Sequence, residues 1–188
     1  MENSIRNKTD KTKSELARAM KQLMQRREIE KISVSDICEE AVISRPTFYK
    51  YFKDKYDLVN WYFDKVATNS FLQMGTSMNL REALTKKYVI MQGEGVFFPV
   101  AFRSRSQNNL MEYDYQSIYN FYCKYIADKT GRKIDEELDF LLRLYCAGSI
   151  HMTVEWAVEG MKMSPEEMAD LLIKALPERL KEILPIDD

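Results

Sequence analysis

The sequence predicts an all-α chain, with an N-terminal three-helix unit followed by a longer antiparallel helical body, about nine helices in all. Three observations carry this. Apolar residues recur at i, i+3, i+4 and i+7 almost throughout, the spacing of one helix face. No segment alternates strictly enough to be a strand. Five of the six glycines, Gly75, Gly93, Gly95, Gly131 and Gly160, fall where that periodicity breaks and helices should stop.

Taken in order, Thr12-x-x-Glu15 is a capping-box pattern ahead of Leu16, Ala19, Met20 and Leu23. Ser33-x-x-Asp36 opens a second helix carrying Val34, Ile37, Cys38 and Ala41. Ser44 is placed to cap a third short helix with Phe48 and Phe52. Asp54 is placed to cap a fourth with Leu58, Tyr62, Phe63 and Val66. Asn79-x-x-Glu82 and Asn109-x-x-Glu112 are further start signals. Ser164-Pro165-Glu166-Glu167 is a stronger one, because Pro suits the first helical position. The last two long helices are expected at about 135–160 and 164–184. Gly148 lies inside the first of these, where Gly costs about 1 kcal/mol relative to Ala, so close helix packing is its expected motive. Pro99 and Pro177 should kink or end helices.

Composition narrows the function classes. Of the 188 residues, 45% are apolar and 30% charged, which excludes a disordered chain. The longest apolar run, Val96–Phe102, falls far short of the roughly 20 residues of a membrane helix, so no membrane partner is expected. The N-terminus has no apolar core of a secretory signal. Cys38, Cys123 and Cys146 form no C-x-x-C, and His151 is the sole histidine. A cytoplasmic, reducing setting with no metal and no cofactor is therefore the expectation. There is no H-E-x-x-H, G-x-S-x-G, P-loop or glycine-rich nucleotide loop, so no enzyme is expected. Charge is uneven. Residues 1–55 carry a net +4 and residues 56–188 a net −5, which suggests that the N-terminal part meets something anionic.

The stretch from Ile32 to Leu58 is the informative one. It reads as helix 34–40, turn 41–43 and helix 44–51, a helix-turn-helix whose second helix can enter a DNA major groove. Ile37, Ala41, Ile43, Phe48 and Phe52 share one side. Ser44, Arg45, Thr47, Tyr49 and Lys50 remain on the other.

The pattern of Ile37, Ala41, Ser44, Thr47-Phe48-Tyr49-x-Tyr51-Phe52, Lys55 and Leu58 resembles the DNA-binding domain of TetR/AcrR-type bacterial transcription regulators, over about residues 10–60. Within that family, the Arg-Pro-Thr-Phe-Tyr-x-Tyr-Phe wording and the aromatic-rich body are most similar to the dihydroxyacetone kinase operon regulators. The resemblance implies a DNA-binding domain at 1–56 and a regulatory and dimerisation domain at 57–188. It implies a sequence-specific regulator, a repressor, that binds a palindromic operator as a homodimer and is modulated by a small molecule in the C-terminal domain. The alternative is a same-fold regulator or co-activator controlled by a protein partner. One departure stands out. The family usually has Gly in the turn, and this chain has Val42, so either the turn is built differently or Val42 carries strain.

By resemblance and chemistry, Tyr49, Tyr51 and Lys55 would contact phosphates of double-stranded DNA. Arg45 would read guanine, and Pro46 or Thr47 would touch a thymine methyl. Ser44, at the cap of the reading helix, would join the DNA-binding set, and Lys50 would reach a base or a phosphate. Lys8, Lys11 and Lys13 would follow the backbone. Tyr51 also reads as core, and Lys50 and the N-terminal lysines also read as solvated surface. A four-helix dimer contact would use Tyr145, Gly148, Met152 and Trp156 with Met168, Leu171, Leu172 and Ala175, although periodicity alone equally allows a subunit core. An effector site would draw on Phe71, Phe97, Phe98, Phe102, Tyr119, Tyr122 and His151. The aromatics among them read equally as plain core, and His151 as a partly buried imidazole satisfied by its neighbours.

Overall fold

The computed structural model describes residues 2–104, 106 and 109–187, with side chains from residue 9 onward. Among the described residues there are ten α-helices and no strand: α1 (Glu2–Met24), α2 (Val34–Ala41), α3 (Arg45–Tyr51), α4 (Lys55–Thr68), α5 (Leu80–Gly93), α6 (Phe97–Phe102), α7 (Leu110–Thr130), α8 (Glu136–Val158), α9 (Pro165–Lys174) and α10 (Glu178–Lys181). Short 3-10 turns occupy Ile29–Lys31 and Phe71–Gln73. The all-α class expected from the periodicity is therefore what the chain adopts.

Three local expectations are corrected. The Thr12 pattern does not start a helix, because α1 already runs from Glu2. No Pro or Gly lies between them, so nothing stops the helix from extending backwards. The helix expected over 164–184 is two, since α9 stops at Lys174 and Pro177 heads α10. Pro99 neither kinks nor ends α6. It sits in the first turn, where its missing N–H has no intrahelical acceptor to lose. The caps expected at Ser33, Ser44, Asp54, Asn79 and Ser164 all form.

The chain divides into two compact units. The first takes residues up to Asp64 together with Val96–Leu110, and the second takes Lys65–Gly95 and the chain from Met111 onward. In the first, α1 packs on α2 and contacts α6. Leu16, Met20, Ile29, Ile32, Ile37 and Phe48 are fully buried there. An aromatic chain extends this core: Phe48 to Phe52 at 5.7 Å, Phe52 to Trp61 at 5.8 Å, and Tyr62 to Phe97 at 4.9 Å between centroids. Phe97, Phe98 and Phe102 thus belong to the core around the N-terminal helices.

In the second unit α5 packs on α9 and α8 contacts α10. Phe71 meets Phe121 and Tyr122 at 4.9 and 5.3 Å, and Tyr88 meets Trp156 at 5.2 Å. The Tyr88 and Thr153 hydroxyls bond at 2.9 Å, and the Tyr145 hydroxyl donates to the Leu172 carbonyl. One ion pair is wholly buried: Lys87 Nζ of α5 lies 3.3 Å from Asp114 of α7. Burial pushes the Asp114 carboxyl up and the Lys87 charge pulls it back, so the pair is held by mutual compensation.

Candidate nucleic-acid interface

The interface is built from caps upward. Ser33 Oγ accepts from the Asp36 N–H at 3.1 Å, and the Asp36 carboxylate accepts from the Ser33 N–H at 2.7 Å, closing a capping box on α2. These Ser33 bonds, helped by Arg27, hold the Asp36 carboxyl down at about 2. The helix ends at Val42, with φ 56 and ψ 42, and the Ile43 N–H returns to the Cys38 carbonyl at 2.9 Å. Of the two possibilities left open for the turn, the strained one is realised. A β-branched residue that is 92% exposed adopts the left-handed conformation.

α3 then starts on Ser44, whose Oγ accepts from the Thr47 N–H, with Pro46 in the first turn. Phe48 is fully buried and orients the helix. Ser44, Arg45, Pro46, Tyr49 and Lys50 are exposed on its other side, and Thr47 and Tyr51 are half-buried. Tyr49 rests edge-on against Phe48 at 5.5 Å, which leaves half the residue exposed. The Lys50 ammonium stands 5.7 Å over the Tyr51 ring.

Two cations lie differently from the rest. Lys55 Nζ donates to the Glu30 and Ile32 carbonyls at 3.0 and 2.7 Å, which leaves one N–H for an outside oxygen. Burial lowers its pKa. The anion position at the α4 N-terminus is filled by the chain itself, since Asp54 accepts from the Tyr56 and Asp57 N–H groups at 2.8 and 2.9 Å. Lys13 lies over the Phe52 and Trp61 rings at 5.5 and 5.6 Å, and Lys11 is exposed. The Lys8 side chain falls outside the described residues.

The effector set is brought together only in part. Phe71 and Tyr122 line one chamber of the second unit with Lys87, Tyr88, Ser149 and Thr153, and its volume is about 10 Å³, room for about one water. Tyr119 is half-buried, stacked on Tyr115 and bonded to Asp139. His151 is exposed on α8. Phe97, Phe98 and Phe102 lie in the other unit.

The dimerisation set divides by burial. Tyr145, Trp156, Met168 and Leu172 are buried inside the protomer, while Gly148, Met152, Leu171 and Ala175 are exposed. The reading of the sequence passed over Phe140 and Leu144, each 61% exposed, which continue the Gly148 and Met152 line along α8. The signal was present, because α8 is apolar on both faces, and such a helix has something to bury on each.

Comparison with known proteins agrees with the fold. The family model described as bacterial regulatory proteins, tetR family, matches residues 15–61, and the one described as transcriptional regulator C-terminal region matches residues 78–178. Over 53 residues the chain is 45% identical to the HTH-type dhaKLM operon transcriptional activator DhaS of Lactococcus lactis subsp. lactis (strain IL1403), and that match spans 28% of each chain. Among solved structures, the dihydroxyacetone kinase operon activator DhaS superposes with a TM-score of 0.65 at 24% identity, covering 92% of this chain and 98% of that one. A TetR transcriptional regulator from Streptococcus agalactiae 2603V gives 0.66 at 18% identity, covering 95% and 100%. At these identities the structural likeness speaks for the fold.

Proposed function

The chain belongs to the tetR family of bacterial transcriptional regulators, and from that premise we propose that it binds a two-fold symmetric operator as a homodimer, with residues 1–56 carrying the contact to DNA and residues 57–188 the pairing and control. The single observation that carries the reading is the solvent side of α3, where Ser44, Arg45, Pro46, Tyr49 and Lys50 stand together behind a buried Phe48. Arg45 offers a forked donor to guanine O6 and N7. Tyr49, Tyr51 and the remaining N–H of Lys55 offer donors to phosphates.

Pairing is supported by exposed apolar residues of one unit: Phe140, Leu144, Gly148 and Met152 of α8, Leu171 of α9 and Ala175 just after it. A Cβ built on Gly148 meets nothing within 4 Å in its own chain, so any close approach there comes from outside it. A dimer presents two reading helices to half-sites one helical turn or a multiple apart.

Control by a small molecule would use an open groove rather than the small chamber beside Phe71, Tyr88 and Tyr122. The alternative, control by a protein partner, is favoured by one observation: that chamber has room for about one water and no effector. A relative 45% identical over 53 residues is an operon activator by name, so activation of a neighbouring operon is the sign we assign. Selection of bound sequences from random duplexes tests the core reading. Wild type should enrich a symmetric site, and Arg45→Ala should relax it at one base per half-site at a cost of about 1–3 kcal/mol. No enrichment would overturn it. A reporter on the adjacent promoter that rises when the gene is deleted would reverse the sign.

A further inference from the structure

Between the C-terminal end of α1 and α6, the first unit holds an open cleft of about 700 Å³ lined by none of the α3 residues assigned to DNA. Three guanidiniums line it, from Arg26, Arg27 and Arg103. Buried Met24 and half-buried Val100 supply apolar surface beside them. Two carboxylates border the cleft, and both are already engaged. Glu28 pairs with Lys31 at 2.9 Å, and the Glu30 carboxylate accepts from the Ser104 hydroxyl at 2.7 Å. Arg26 has no side-chain hydrogen bond or ion pair among the described residues, and Arg27 holds Asp36 through a single 3.2 Å contact.

Lys31 balances Glu28, and the three guanidiniums outnumber the remaining lining carboxylate, Glu30, so the concave surface carries a net positive field that favours a negative guest. Guanidinium geometry matches a phosphate or carboxylate through paired N–H donors, and a dianion answers more than one guanidinium. The volume is far larger than one phosphate group needs, and the apolar surface suits an organic part. We propose that this cleft is a binding site for a small phosphomonoester, with the phosphate held by Arg26 and Arg103 and the organic part lying on Met24 and Val100.

A regulatory consequence follows from Arg27. It lines the cleft and also bonds Asp36, the residue that closes the α2 capping box. A guest that draws Arg27 inward loosens that contact to the first helix of the helix-turn-helix. The Ser104–Glu30 bond ties the segment after α6 to the same rim. Occupancy is thereby coupled to the reading unit without any cavity in the body.

The test is calorimetric titration of the purified full chain with phenyl phosphate, with inorganic phosphate as the control for the organic part. Saturable binding of one phenyl phosphate per chain is expected, weaker for inorganic phosphate. Arg26→Ala alone and Arg26→Ala with Arg103→Ala should weaken it progressively, the double variant by about tenfold or more, with an unchanged melting midpoint. Absence of saturable binding, or equal binding by the double variant, overturns the proposal. So does a loss of operator affinity in the double variant without probe, which would make the cleft a contact to the DNA backbone. The titration involves no DNA, so its failure is distinguishable from failure of the operator reading.

Discussion

Val42 concentrates strain in one side chain. Left-handed backbone costs an L-residue about 1–2 kcal/mol, and an exposed valine recovers little of that by burial. Val42→Gly should therefore stabilise the chain by about 0.5–1 kcal/mol, the relief being partly offset by the greater freedom of glycine in the unfolded state. Urea denaturation reads this directly, and a lower midpoint for the variant would show that the valine side chain is making a contact of its own. Lys55 is the other residue whose surroundings change its meaning. Its ammonium joins α4 to two carbonyls around the Ile29–Lys31 turn. Lys55→Met, which keeps the stem, should cost about 1–3 kcal/mol in a denaturant melt as well as weakening DNA of every sequence alike. A variant of undiminished stability would make the lysine a phosphate contact alone. The sequence showed that both residues matter, but it left the backbone angle of Val42 open, and the direction of the Lys55 cation is set by carbonyls more than twenty residues away.

Caps organise the elements. Ser33 lowers Asp36, Ser164 lowers Glu167, and Arg179 lowers Asp135. A carboxyl whose folded pKa lies below its unfolded value contributes stability that is complete above the ordinary carboxylate range and is lost as pH falls through the folded value. For Asp36 the window runs from about 4 to about 2. Thermal melts across that interval should fall steeply for wild type and less steeply for Asp36→Asn, and identical slopes would contradict the assignment. Element geometry also makes Gly75 special. It has φ +78, and a Cβ there would lie 2.2 Å from the Tyr125 ring, whereas at Gly131, with φ +68, a Cβ meets open space. Gly75→Ala should cost roughly 2 kcal/mol or more and Gly131→Ala about 1 kcal/mol, compared by chemical denaturation. Equal costs would mean that Tyr125 moves aside freely. Most element starts were legible from short cap motifs, because a cap is a local hydrogen bond between residues three apart. Thr12 shows the limit of that reading, since the same motif inside a longer helix-compatible run has no power to start anything.

The whole molecule is where burial sorts residues that periodicity treats alike. α8 carries apolar side chains on both faces, and only the fold decides that Tyr145 and Trp156 turn inward while Phe140 and Leu144 face out. If the proposed dimer pairs through this face, Leu144→Glu should give a monomer in sedimentation while its helical circular dichroism persists, and operator affinity should fall by about 100-fold or more as the two heads lose their link. A dimer that survives the charge would move the pairing surface elsewhere. Effector placement follows the same rule. Phe97, Phe98 and Phe102 have the composition of a ligand lining, but they complete the core of the first unit, and His151 ends on an outer surface.

By itself, the order of residues determined the helical class, the starts of α2 to α5 and of α7 to α9, and the reading helix with its exposed face. Each of those depends on spacings of two to seven residues, the range over which a backbone hydrogen bond or a helix turn acts. Tertiary structure alone decided that Lys55 faces carbonyls, that α6 belongs with the N-terminal helices, and that Arg26, Arg27 and Arg103 share one cleft. These depend on contacts between segments up to about eighty residues apart, and no local pattern records which distant surfaces will meet when apolar area is withdrawn from water.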